Sequence, residues 1–456
     1  MKKPLIFFLL WSQLQTAYCQ YFYFQQQVNY KIDVTLNDIE NTLDGFEIIE
    51  YTNNSPDTLR FIWFHLWPNA YKNDRTAFSE QLLQLGRTDF YFSSNEKRGY
   101  INRLDFQVNG ITSVLEDHPK YIDVAKLILP VPLAPGKTIK ITTPFHEKIP
   151  FNFSRGGHVG STYQITQWYP KPAVYDSKGW HPMPYLDQGE FYSEFGNFNV
   201  QITLPDSYVV AATGELQNAE EIKWLKEKAK ENTGSQMPVT GNQQKAMNKH
   251  EHDKSEEEIA KNKETVSKRK IVKKNHKPLK KKLPVAAKKK TTITKKTNQD
   301  IPKSEIKKQQ PARIIQTKTL NYIQNNVHDF AWFAAKDFIV NFDTLKLPSG
   351  RIIDAYTYFT PSGKETWKNS ISFIKDAITT RSKWLGEYPY NIVTAVEAKM
   401  GFDGGMEYPT ITSISPMRSQ KAVDLTIQHE VGHNWNYGIL ASNEREHPWI
   451  DEGMNT

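Results

Sequence analysis

The sequence predicts an α+β chain of several domains, with an N-terminal antiparallel β-domain of saddle or sandwich type and then a mixed domain ending in a long helix. Three observations carry this: apolar residues alternating with period two through the N-terminal half, an abrupt Lys-rich stretch, and helical apolar spacing toward the end. At 456 residues the chain is too long for a single compact core.

Residues 1–19 read as an export signal. Lys2 and Lys3 precede the apolar run Pro4 to Trp11, which is too short to span a bilayer. Ala17 and Cys19 stand three and one residues before Gln20, which suits cleavage there. Lipid attachment at Cys19 fits less well, because Tyr18 is bulky for a lipobox. Cys19 is the only cysteine, which excludes a disulfide framework and a cysteine-rich metal site. No other apolar run is long enough to cross a membrane, so the expectation is a periplasmic or extracellular protein with no transmembrane segment.

The β-domain is expected over 20–358. Tyr30, Ile32, Val34 and Leu36 alternate with polar residues, and Phe46, Ile48 and Tyr51 continue the pattern to an Asn53-Asn54-Ser55 turn. Leu127-Ile128-Leu129 and Ile139-Ile141 flank Pro135-Gly136, which reads as a hairpin turn. Phe330 to Phe333, Phe338 to Val340 and Ile352 to Tyr358 read as strands returning to the same domain.

Residues 218–318 interrupt it. They hold 28 Lys and Arg against 12 Asp and Glu, with Trp224 the only aromatic, and so cannot offset ordering entropy by burial. The stretch is expected to be a disordered insertion. Its net +16, set against +8 for the whole chain, leaves about −8 elsewhere, so the basic balance belongs to the insertion. Contact with anionic surfaces is one use for it and a solvated loop is the other; without interleaved aromatics, specific nucleic-acid recognition is not expected.

Residues 359–456 form the second expected domain. After Pro361-Ser362-Gly363, Trp367, Ile371, Ile374, Ile378 and Leu385 fall at helical spacing, and Gly386 is placed to end the helix. Ile392 to Val396 reads as a strand, and a last helix begins near Ala422. On that helix, His429-Glu430-Val431-Gly432-His433 places two imidazoles on one face, able to reach one metal ion, with Glu430 beside the metal as general base. Glu452 supplies a third ligand, and two His with one Glu favour a single Zn²⁺ per chain with an open position for water. A bare HExxH is a weak signal, since two buried histidines satisfied by backbone groups would give the same string. Glu452 and an upstream motif, Gly404-Gly405-Met406-Glu407-Tyr408-Pro409, make it specific.

With that motif the chain resembles the membrane alanyl aminopeptidase family of gluzincins, which also includes the leukotriene hydrolase. The order and spacing of G-x-M-E-N and HExxH-x18-E agree, and Asn434-Trp435 follows the second histidine much as in the family. The resemblance implies a thermolysin-like catalytic domain and removal of N-terminal residues from peptides with a free N-terminus. Glu407 would bind the substrate amine, and Gly404, Gly405 and Met406 would lie along the substrate backbone. Gln167, in Thr166-Gln167-Trp168, would reach the site from the β-domain, with Tyr169 where many members carry Glu or Gln. Tyr408 departs from the common Asn. The chain stops four residues after Glu452, so the catalytic domain is expected to be truncated, without the tyrosine that in the family stabilises the oxyanion, and its activity reduced. The alternative expectation is an exported, non-catalytic binding protein with a vestigial peptidase domain.

Overall fold

In the strand Gln27–Asn37, Val28, Tyr30, Ile32, Val34 and Leu36 are all buried, as period-two alternation demands. A tight turn returns the chain as Thr42–Thr52, paired antiparallel from Asn37↔Thr42 to Gln27↔Thr52. In the computed structural model, which describes residues 23–233 and 316–455, this pair lies inside a nine-stranded sheet. Gly196–Pro205, Thr317–Val327 and Glu215–Leu216 follow on one side, and Thr138–Lys148 with three short strands on the other. The export signal, Cys19 and most of the Lys-rich insertion lie outside the described residues.

The expectation of a wholly antiparallel sheet is corrected at one place. Gln27–Asn37 runs parallel to Gly196–Pro205, from Tyr30↔Phe198 to Thr35↔Thr203. Alternation announces a strand but not the direction of its neighbour. Gly196 is where the two backbones crowd, because a Cβ there would overlap the Val28 carbonyl.

Two further details differ from expectation. In Thr42–Thr52 the buried residues are Thr42, Leu43, Glu47, Ile49 and Tyr51, while Phe46 is exposed and Ile48 half-buried. Pro135-Gly136 does form a turn, with Gly136 at φ 71, but it closes no hairpin. Val124–Leu133 pairs with Leu59–His65 in a separate four-stranded sheet, whereas Thr138–Lys148 pairs with Thr42–Thr52. The turn therefore carries the chain from one sheet to another. Another four-stranded sheet contains Gly157–Val159, Thr162–Ile165, Trp332–Ala335 and Val209–Ala212.

Disorder from residue 218 is also corrected. Ala219–Thr233 is a helix with Leu225 and Ala229 buried. Its Lys226 pairs with Asp354 at 3.1 Å and Asn232 donates to the Val340 carbonyl. Apolar residues were too sparse to announce it; the face is short, and its charged residues reach back to the sheet.

The expected domain boundary at 358/359 moves as well. Ile339–Lys346 and Ile352–Phe359 belong to a five-stranded sheet with Ile392–Glu397, Ile411–Ile414 and Gly405–Tyr408, in that order. Their sequence signalled strands, but only the parallel pairing of Ile352–Phe359 with Ile392–Glu397 assigns them to this sheet. Two long helices accompany it. Ser370–Leu385 ends at Gly386 with φ 110, as the spacing predicted. Gln420–Leu440 is capped by the Ser419 side chain accepting from Ala422 N–H. The core is continuous across the expected boundary: Ile62, Val200 and Trp332 share one apolar cluster with Ile378, Val431 and Trp435. No described helix is long and apolar enough to cross a membrane.

Candidate metal centre and substrate cleft

His429 and His433 lie one turn apart on Gln420–Leu440 and point their Nε2 atoms to within 3.2 Å of each other. Glu452 opens the short helix Glu452–Asn455. Its Oε2 lies 3.2 Å from His429 Nε2 and 3.8 Å from His433 Nε2. Four ligands at about 2.0–2.1 Å from a tetrahedral zinc stand roughly 3.3–3.4 Å apart, so these three atoms outline one face of such a site. The His429 contact holds the Glu452 carboxyl below its ordinary range, against the effect of partial burial. The donors fit zinc, which bound there would act as a Lewis acid and acidify a coordinated water.

Three features fix this geometry. Asp451 Oδ2 accepts from His433 Nδ1 at 2.6 Å, which leaves Nε2 as the free donor to an ion. Asn455 Nδ2 donates to the His429 carbonyl at 2.6 Å while its Oδ1 accepts from Arg381 at 3.2 Å, clasping the Glu452 turn to the motif helix. Gly432 makes the clasp possible, since a Cβ there would run into Asn455 and Arg381. The two central letters of HExxH are thus a buried Val431 and a glycine forced by close approach.

Glu430 is buried with one carboxylate oxygen lacking a partner. Burial raises its pKa to about 7, with His433 and His429 pulling the other way. Gly405 faces it, and a Cβ at Gly405 would collide with the Glu430 carboxylate. Gly405–Tyr408 is an edge strand paired only with Ile411–Ile414, so its outer backbone groups face no strand of this sheet. Glu407 on that strand is buried, and one of its oxygens lies within 4.8 Å of a ligand atom of Glu430 and of His433. Burial pushes its carboxyl well up, with His433 opposing and Glu190, Glu430 and Asp451 adding to the rise. The strand is registered to the helix through Thr410, whose N–H donates to Asn434 Oδ1 at 3.0 Å and whose φ of 65 is rare for a β-branched residue.

A cleft of about 490 Å³ joins these groups, lined by Gly404, Gly405, Met406, Glu407, His429, Glu430, His433 and Glu452. The sheet-rich part contributes Arg155, Asp187, Gln188 and Glu190. Gln167 is not among them, which corrects the expectation that it reaches the site. At φ 50, its buried side chain donates to Asp329 at 3.3 Å and accepts from the Tyr408 hydroxyl at 3.5 Å. Tyr169 is also buried on Asp329. Both stand behind Tyr408, in a polar cluster centred on the buried Lys171–Asp329 pair at 2.7 Å.

Comparison with solved structures places this architecture. Among those similar to it is an M1 zinc metallopeptidase from Deinococcus radiodurans, at 13% identity and a TM-score of 0.50, with 94% of this chain and 68% of that one covered. A mutant form bound to a Tyr-Ser-Ala substrate gives 13% identity, a TM-score of 0.50 and 94% and 69% coverage. A two-domain mutant bound to L-arginine gives 12% identity with the same TM-score and coverage. The fold is shared with M1 zinc metallopeptidases. No protein-family model matches the chain, and no curated protein matches it.

Sequence reasoning missed Asp451, Glu190 and Arg155. Asp451 was legible in principle, because a metal-bound histidine needs a partner on its other nitrogen and an Asp adjoins the third ligand. Glu190 and Arg155 had no such signal. Arg155 donates to Glu190 at 2.8 Å and to the Asp187 carbonyl at 2.7 Å. Burial opposes the Arg155 charge, but Glu190 foremost, then Tyr185, Tyr408 and Glu407, keep it firmly protonated.

Proposed function

We propose that this chain is a zinc metallopeptidase of the aminopeptidase kind. The observation that carries the reading is the position of Glu407: a buried carboxylate with an unpartnered oxygen, on an open edge strand, beside Glu430 and His433. A fixed negative charge there suits the ammonium of a peptide N-terminus and would set the scissile bond one residue in. Glu190 also lines the cleft with a buried, unpartnered oxygen, and would share the amine. The backbone of Gly404 and Gly405 would pair with the substrate main chain.

His429, His433 and Glu452 would hold the zinc. Glu430 would take a proton from the attacking water and return it to the leaving amine; burial gives it the raised basicity that this shuttle needs. The resemblance of the motifs and the shared fold support the same reading, and the sequence of residues 1–19 supports export.

Hydrolysis of aminoacyl 4-nitroanilides by the zinc-loaded chain, beside their N-acetylated forms, tests the proposal. Release from the free-amine compounds alone is the expected result. Cleavage of internal bonds in blocked peptides would point to an endopeptidase. Stoichiometric zinc with no hydrolysis of any substrate would point to a binding protein with a vestigial centre.

A further inference from the structure

A second group of acids joins Glu407 and Asp451 to Glu444, a buried carboxylate that the peptidase reading does not use. Glu407, Glu444 and Asp451 each bring a carboxylate oxygen within 4.8 Å of the other two, and all three residues are at least 95% buried. Glu444, 1% exposed, has neither oxygen hydrogen-bonded; Glu407 Oε1 and Asp451 Oδ1 are also without partners. Four buried carboxylate oxygens left unpaired in one place would be strongly destabilising without a compensating charge. The nearby arginines make no hydrogen bond to these oxygens: Arg155 is spent on Glu190, Leu186, Asp187 and Met406, while Arg445 Nε donates to the Glu190 carbonyl and its buried Nη2 reaches no acceptor.

We propose that Glu407, Glu444 and Asp451 bind a hard divalent cation of the calcium type, at a site separate from the zinc triad. An all-carboxylate donor set selects against zinc and for calcium or magnesium. Oxygens around calcium at about 2.3–2.6 Å span at most roughly 4.6–5.2 Å, so carboxylates within 4.8 Å of one another can share one such ion, and calcium tolerates irregular geometry where magnesium demands a near-ideal octahedron. The two sites share no ligand but are linked. Asp451 would offer Oδ1 to the cation while Oδ2 keeps its hydrogen bond to His433. Glu407 would be divided likewise, one oxygen on the cation and the other toward the cleft. The cation would thereby hold both the orienting partner of a zinc ligand and the carboxylate beside the substrate.

The full chain, loaded with one equivalent of zinc and equilibrated with about 1 mM Ca²⁺ or Mg²⁺, is assayed by elemental mass spectrometry after removal of free ions. One zinc and one calcium per chain are expected. Glu444→Gln should keep the zinc and lose the calcium. Should that variant not fold, the zinc-loaded wild type still decides: Ca²⁺ must raise its melting temperature, as an ion bound only by the native state does. A chain that holds zinc, takes up no second ion and melts at the same temperature with and without Ca²⁺ overturns this proposal and leaves the peptidase reading standing. A chain without zinc would sink that reading instead.

Discussion

Glu430 is the residue on which hydrolysis should turn. Glu430→Gln keeps the shape and removes the base, so kcat is expected to fall about 10²–10⁴-fold with zinc content unchanged, measured by rate assay and metal analysis together. Asp451→Asn weakens the orienting bond to His433 and should cost about 10–100-fold in zinc affinity, read by competition with a chromophoric chelator. Gly405→Ala should displace the Glu430 carboxylate, because the added methyl group occupies its space. The grouping of His429 and His433 with Glu430 beside them was legible in the sequence because i, i+4 spacing on a helix is a local rule. Glu190 and Arg155 were not, since they arrive from two separate loops whose paths are set by packing distant in sequence.

At the scale of elements, the centre is assembled by three short contacts: Asn455 on the His429 carbonyl, Thr410 on Asn434, and Trp435 Nε1 on the Gly386 carbonyl at 2.8 Å. Gly432→Ala should break the first by forcing the Glu452 turn away from the helix. Zinc affinity should then drop while helical content by circular dichroism stays near wild type. A loss of helix instead would show that the glycine serves the helix itself. The end of Ser370–Leu385 was readable from its terminating glycine, and Gln420–Leu440 starts two residues before the expected Ala422, but the first helix begins at Ser370, later than the Pro361-Ser362-Gly363 signal suggested. Strand partners were not readable. Pro135-Gly136 has the chemistry of a turn, and whether a turn closes a hairpin or crosses between sheets depends on which neighbours compete for each edge.

For the molecule as a whole, buried charge sets the pH response. Glu47 lies within the nine-stranded sheet with neither oxygen partnered, and burial raises its carboxyl well above the ordinary value. A raised native pKa means that the folded state favours the protonated form. Its stabilising contribution is therefore full below about pH 4, the ordinary carboxyl range, and is lost as pH rises toward the native value. Glu47→Gln should accordingly match wild type near that acidic limit and melt higher at neutral and alkaline pH, checked by thermal melts across the range. The sequence carried a misleading signal here, because Phe46 and Ile48 suggest the opposite face. Neighbouring strands, not the hydrophobicity of one segment, decide which face turns inward.

The three proposed zinc donors are unequally sheltered: side-chain exposure is 35% for His429, 1% for His433 and 43% for Glu452. Ion exchange should therefore be directional. A departing ion would shed Glu452 first, pivot on His429 and leave His433 last, with a chelator entering from the Glu452 side. Replacing the Asn455 clasp would free the Glu452 turn and speed release, so the loss of affinity at that single side chain would be carried by a shorter residence time, with capture little changed.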